Sequence, residues 1–144
     1  MPSVTISSPD LYKEGPILEV HFLIPLELEK KLKEEGKEIP SPVIVKSLID
    51  TGASNCVVKK EIPEQLRLEP TGVIKINTPS SKEHECYQYF MRMVIPTHGL
   101  IYQGPFIGAP LDGQEISGLM GRDLLKHSIL IYIGYNNQFT LSMA

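Results

Sequence analysis

The sequence predicts a single all-β domain with one or two short helices. Three observations carry that expectation. Short runs rich in Val, Ile, Leu, Tyr and Phe recur at close spacing along the chain. Pro, Gly and Asn punctuate them where turns are required. Only two stretches read as helix. The 144 residues suffice for one hydrophobic core, and no internal repeat or low-complexity linker divides residues 1–144.

The elements follow in order. Pro16 to Pro25 alternates imperfectly between two prolines and predicts a strand of about eight residues. The period then changes. From Leu26 to Gly36, Leu28 and Leu32 stand four apart, Glu29 faces Lys33 and a glycine ends the run, which predicts a short amphipathic helix. Its expected setting is a solvated edge. Pro42 to Ile49 predicts the next strand, and Cys56-Val57-Val58 begins another. Lys59 to Leu66 reads as a brief turn or helix. Val73 to Asn77 and Tyr87 to Ile95 predict a β-hairpin with Thr78-Pro79-Ser80-Ser81-Lys82 near its tip. Short strands are expected around Leu100-Ile101-Tyr102 and Gly104 to Ile107, before a turn at Asp112-Gly113. Gly121 to His127 reads as one helix turning Leu124 and Leu125 inward. Ile129 to Ile133 and Gln138 to Met143 predict strands joined through Gly134-Tyr135-Asn136-Asn137, residues that tolerate positive φ.

Charge and composition exclude several functions. A net charge of −3 without a basic cluster gives no footprint for nucleic acid, because phosphates demand concentrated Lys and Arg. No apolar run reaches the ~20 residues that cross a bilayer. Met1-Pro2-Ser3-Val4 lacks the charged and apolar regions of an export signal. The expectation is a soluble, cytoplasmic protein with no membrane or nucleic-acid partner. Cys56 and Cys86 form no CxxC pair; a disulfide between them is possible, and a buried, apolar Cys56 is the favoured reading. His21, His84, His98 and His127 show no ligand spacing, so neither metal nor cofactor is expected. Cys56 with a distant histidine is only a weak candidate nucleophile.

The chemistry concentrates elsewhere. Leu48-Ile49-Asp50-Thr51-Gly52-Ala53-Ser54 sets one carboxylate at the end of an apolar strand, where Gly lets the backbone turn and Thr can hydrogen-bond. Further along stands Leu119-Met120-Gly121-Arg122-Asp123-Leu124-Leu125. The first string resembles the active-site signature of the aspartic proteases, the retropepsins in particular, and the second is similar to the segment that closes the retropepsin fold. The resemblance covers about residues 16 to 143. It implies a retropepsin-like β-barrel half with a flap hairpin, completed as a homodimer. Of the four aspartates, Asp10, Asp112 and Asp123 stand in no comparable context, so the second catalytic carboxylate must come from a second chain.

The resemblance also implies roles. Asp50, Thr51 and Gly52 would be catalytic. Ala53, Ser54, Ile76, Thr78 and Leu119 would line a peptide or protein substrate, and Gly121, Arg122 and Asp123 would support the loop. Apolar residues around Leu119, Met120 and Ile107 suggest hydrophobic side chains flanking the scissile bond. The retropepsin partner of Arg122 is acidic; here that position is Ser54, so a neutral hydrogen bond is expected instead. The hairpin tip carries no glycine between Thr78 and Glu85. Val4-Thr5-Ile6 and Phe139-Thr140-Leu141 are candidates for an interchain sheet, as the family's ends often form, with a different arrangement in this chain left open. The starting Met1, without polyprotein flanks, looks more like a cellular or bacterial member than a viral one. Plainer readings exist: Asp50 as a turn aspartate, Arg122 and Asp123 as surface charge at a helix start, Leu119 and Met120 as core (the favoured reading, with Leu119 able to be both core and wall), and the whole fold as a noncatalytic peptide-binding or assembly module.

Overall fold

The computed structural model describes residues 1–78, 81–111 and 115–144, and for residues 76–78 and 81–84 the backbone only. The expected hairpin tip at Pro79-Ser80 and the turn at Asp112-Gly113 lie outside the described residues. In chain order the elements are β1 (Ser3–Ser7), α1 (Leu11–Glu14), β2 (Ile17–Leu23), α2 (Leu26–Glu34), β3 (Val43–Ile49), β4 (Val57–Lys59) and α3 (Glu61–Gln65). They continue with β5 (Gly72–Thr78), β6 (Ser81–Ile95), β7 (Leu100–Ala109), β8 (Gly118–Met120), α4 (Arg122–Leu125), β9 (Ser128–Ile133) and β10 (Gln138–Met143).

Alternation drives the strands into a closed ring. In β2, Leu18, Val20 and Phe22 are buried while Glu19 is exposed, the period of two that a half-buried strand requires. The strands pair in the order β2-β3-β8-β4-β7-β6, and β6 returns to β2 through His21↔Val94, Phe22↔Met93 and Leu23↔Arg92. This closes a six-stranded barrel, with β5 hung outside on β6. Closure removes free edges from those strands. Phe22 meets Phe106 edge to face at 5.3 Å inside, and Met91, Met93, Met120 and Leu124 fill the space around them.

The helix after β2 is anchored rather than merely solvated. Leu28 and Leu32 of α2 pack on the core, and Glu29 approaches Arg92 at 3.5 Å. Gly36, at φ +67, ends the run, a conformation that costs glycine little. Among the described residues no helix is long and apolar enough to cross a membrane.

The structure departs from expectation at three places. Four short helices occur among the described residues, not one or two. The unexpected α1 is a single turn whose start is capped by Asp10, which accepts from the Lys13 N–H at 3.2 Å; a turn that short has no room for periodicity. Second, β7 runs unbroken through Gly104 and Pro105. At Pro105 the strand pairs only with Phe90 of β6, since β4 joins it at Ile107, so the missing N–H leaves no ladder bond unmade. Third, the terminal segments pair with each other inside the chain, through Val4↔Leu141, Thr5↔Thr140 and Ile6↔Phe139. With β9 on its other side, β10 has no free edge for an interchain sheet.

Candidate active site

Two strands deliver the two motifs side by side. β3 and β8 run parallel, with Leu48 opposite Leu119 and Ile49 opposite Met120, and the Asp50 N–H extends the ladder by donating to the Met120 carbonyl at 3.0 Å. There the strands stop. Asp50 is half-buried at the start of a tight loop. Its Oδ1 accepts from the Gly52 N–H at 2.9 Å, and its carbonyl accepts from the Ala53 N–H at 3.2 Å. The loop thus aims its own amide at the carboxylate.

Gly52 is needed for a different reason than the one expected. Its φ is not positive, so the turn itself does not demand glycine. A Cβ there would lie 3.1 Å from Asp50 Oδ1; the missing side chain is what lets backbone and carboxylate approach. Thr51 is exposed, and among the described residues its carbonyl, not its hydroxyl, carries the loop's bond.

The second motif braces the first from behind. The Arg122 N–H donates to the Ala53 carbonyl at 2.8 Å and the Asp123 N–H to the Ser54 carbonyl at 3.2 Å. Arg122 Nη1 donates to the Thr51 carbonyl at 2.7 Å. This is the neutral bond expected in place of an ion pair, although its acceptor is Thr51, not Ser54. Asp123 reaches further in. Its carboxylate accepts from the Cys56 N–H at 3.2 Å, the Cys56 thiol at 3.0 Å and the Leu124 N–H at 2.8 Å. The Cys56 sulfur in turn lies 3.4 Å from the Gly121 N–H. Gly121 packs against Asn55 so closely that a Cβ would sit 2.5 Å from that carbonyl carbon.

Cys56 is therefore buried, as expected, but it is also a hydrogen-bond donor. Both cysteines are free thiols. Burial pushes the Cys56 thiol well above its usual range, and the bond to Asp123 adds to the push. The folded chain keeps a proton that the unfolded chain loses, so this contribution is complete below the ordinary thiol value of about 8.5 and fades above it. Stability should fall as pH rises from about 8 to 10, and Cys56→Ser should remove part of that slope. Urea midpoints for both proteins at the two ends of that range check it; parallel slopes would refute it.

The structure brings Asp50 to Ser54 together with Gly121 to Asp123. Leu119 is half-buried beside Leu48 and opposite Val57, and Ile76 and Thr78 lie on β5 with their side chains outside the described atoms. Of the apolar residues expected around the cleaved bond, Met120 keeps its plainer reading as core and Ile107 is corrected. Met120 and Ile107 are buried at 0% and 4% exposure, because Met120 points into the barrel and Ile107 is capped by Cys86 and Ala109. The half-buried Val57 and Ile74 pack on that small cluster, and Val57 pairs with Leu119. Strand alternation after Cys56 was the available signal for Val57; nothing local marked Ile74.

No family model matches the sequence, and no curated protein matches it. Among solved structures, the crystal structure of a retropepsin-like aspartic protease from Rickettsia conorii is similar, with a TM-score of 0.52 and 15% identity over 96% of this chain and 89% of that one. At that identity the likeness is one of fold. The barrel that carries Asp50 at the end of β3, braced by the Gly121 to Asp123 turn, is a retropepsin-like fold.

Proposed function

We propose that the chain is an aspartic endopeptidase that works as a homodimer, with Asp50 of each protomer at the two-fold axis. The observation that carries this reading is one carboxylate per chain, held at the end of a strand pair by an amide and braced from behind by three hydrogen bonds to the loop backbone. A lone carboxylate has no partner acid. A two-fold axis supplies one. Like charges about 3 Å apart do not both ionise, so the pair shares a proton. The ionised partner takes a proton from water as that water attacks the peptide carbonyl, while the protonated partner gives its own to the carbonyl oxygen. Thr51, exposed and next to Asp50 in the loop, is the residue to fix register across the axis.

An extended peptide fits between the β5–β6 hairpin and the carboxylates, gaining main-chain hydrogen bonds as an added strand. Leu119, Val57 and Ile74 give it an apolar floor, which favours hydrophobic side chains beside the cleaved bond. The testing experiment is cleavage of a diverse peptide library, read by mass spectrometry from about pH 3 to 8, with native protein and Asp50→Asn in parallel. Cuts that need Asp50 support the reading. Equal inertness of both would sink it.

Ala53 adds a prediction about acidity. It has no hydroxyl to donate to an ionised carboxylate, so the pH optimum should be less acidic than that of gastric enzymes. A pH–rate profile peaking below about pH 3 would contradict this. A second reading, a silent dimer that binds peptide or serves assembly, is favoured by the tip sequence, which lacks glycine from Thr78 to Glu85. The library assay separates the two.

A further inference from the structure

The ring of the barrel has a gap at its lower end. β3 starts at Val43, but β8 joins it only from Ser47 to Ile49, so closure removes the edge of β3 only where β8 reaches. Bonds at the covered end fix where each main-chain group points. The Ile49 N–H donates to the Pro16 carbonyl at 3.0 Å, toward β2, whereas the Lys46 carbonyl accepts from the Ser117 N–H at 2.8 Å and the Asp50 N–H reaches Met120, toward β8. In an antiparallel pair these directions alternate residue by residue. Ile44, two before Lys46 and opposite His21, therefore turns its N–H and carbonyl away from β2, where among the described residues no strand meets them. Its side chain is open too, with Ile44 55% exposed.

The gap is a groove, not a flat surface. It holds about 520 Å³ between the stretch with Glu38, Pro40, Ser41 and Ile44 and the end of α3 at Gln65 and Arg67, the size of a small ligand site. Arg67 stands out in it. Its φ is +55 because it caps α3: its N–H donates to the Glu64 carbonyl and the Leu68 N–H to the Pro63 carbonyl, both at 3.0 Å. Glycine or asparagine adopts that left-handed conformation readily, and arginine does not. The cap accounts for the backbone and not for the side chain. Among the described residues the guanidinium has no hydrogen bond and no ion pair.

We infer that this gap is a docking groove for an extended segment of a partner polypeptide, laid along Ile44 as an added strand with one Asp or Glu against Arg67. Strand addition uses an outward N–H and carbonyl of this kind, and a guanidinium without a partner takes a carboxylate in charge-assisted bonds. Glu38 sets the limit. Lining the same groove, it disfavours a run of acidic residues and restricts the preference to one position. Ile44 lies six residues before Asp50, about 20 Å along the strand. The groove thus goes beyond the endopeptidase reading, since it needs neither the dyad nor a second copy.

Panning of displayed random octapeptides against the full chain carrying Asp50→Asn, so that bound peptides stay uncut, tests this. Recovered peptides should share one Asp or Glu at a fixed position, and fluorescence anisotropy should show binding about 10-fold weaker once Arg67→Asn is added. Asparagine keeps the left-handed cap and loses the charge. Arg67→Glu should turn the preference to Lys or Arg. Ile44→Pro should also weaken binding about 10-fold, because proline on an open edge removes the outward N–H and no ladder bond. An absence of enriched peptides, or peptides that bind every variant as they bind the parent, would overturn the groove. So would self-association of the native chain in sedimentation velocity that Ile44→Pro abolishes, which assigns the edge to a second copy. Should Ile44→Pro fail to fold, the Arg67 variants decide alone. Cleavage is read separately: peptides held by Arg67 on a chain that cuts nothing spare the groove and defeat the endopeptidase reading.

Discussion

On the endopeptidase reading, Asp50→Asn is expected to lower kcat/KM by about 10³-fold or more while the protein keeps its fold and the proposed dimer. Asparagine is nearly isosteric and retains an oxygen to accept from the Gly52 N–H, which Asp50 Oδ1 does at 2.9 Å. What it loses is the ability to take or give a proton. Since one gene supplies both halves of the proposed pair, the substitution removes acid and base together. Mixing adds a sharper readout. Native and mutant chains in equal amounts, allowed to exchange, should retain about a quarter of the activity of an all-native sample, because only that share of dimers pairs two native chains. A retained half would mean that each chain acts alone and would defeat the shared-dyad mechanism.

Gly121→Ala should destabilise the fold by about 3 kcal/mol, at the upper end of the usual cost of overpacking. The reason is what the added methyl meets. It would approach the Asn55 carbonyl carbon to 2.5 Å and the oxygen more closely still, and these are backbone atoms with no rotamer to escape into. Nor can Asn55 step aside. Its neighbours are held on both sides, Ser54 by the Asp123 N–H and Cys56 by the Asp123 carboxylate. Urea unfolding should show a lower midpoint with little change in slope, and activity should drop with it because the displaced segment is the one that carries Asp50. A midpoint equal to the native one would show that the turn and the loop are not braced as described.

How much of this was legible in the sequence depends on the range of the forces involved. The barrel strands were, because half-burial writes a period of two into residues such as Leu18, Val20 and Phe22. The Asp50 loop and its brace were visible as two motifs; their hydrogen bonds, and the choice of Thr51 as the acceptor for Arg122, were not. Cys56 looked inert because a lone thiol carries no local signal; its role depends on Asp123, 67 positions away. Ile107 was misplaced because an apolar residue in a short strand does not announce which face it takes until its neighbours are known. The single turn at Leu11 is held by Asn137, whose side chain accepts the Leu11 N–H, a tertiary bond that no window of sequence reveals.

The pairing of β1 with β10 governs when the molecule can exist at all. Ser3 meets Ser142, so the apolar face of β1 has no cover until β10 has been made. The same delay applies to the loop at Asp50, which is unbraced until residues 121 to 123 have been made. A nascent chain thus carries its carboxylate early and its scaffold late, with most contacts far apart in sequence, which slows folding.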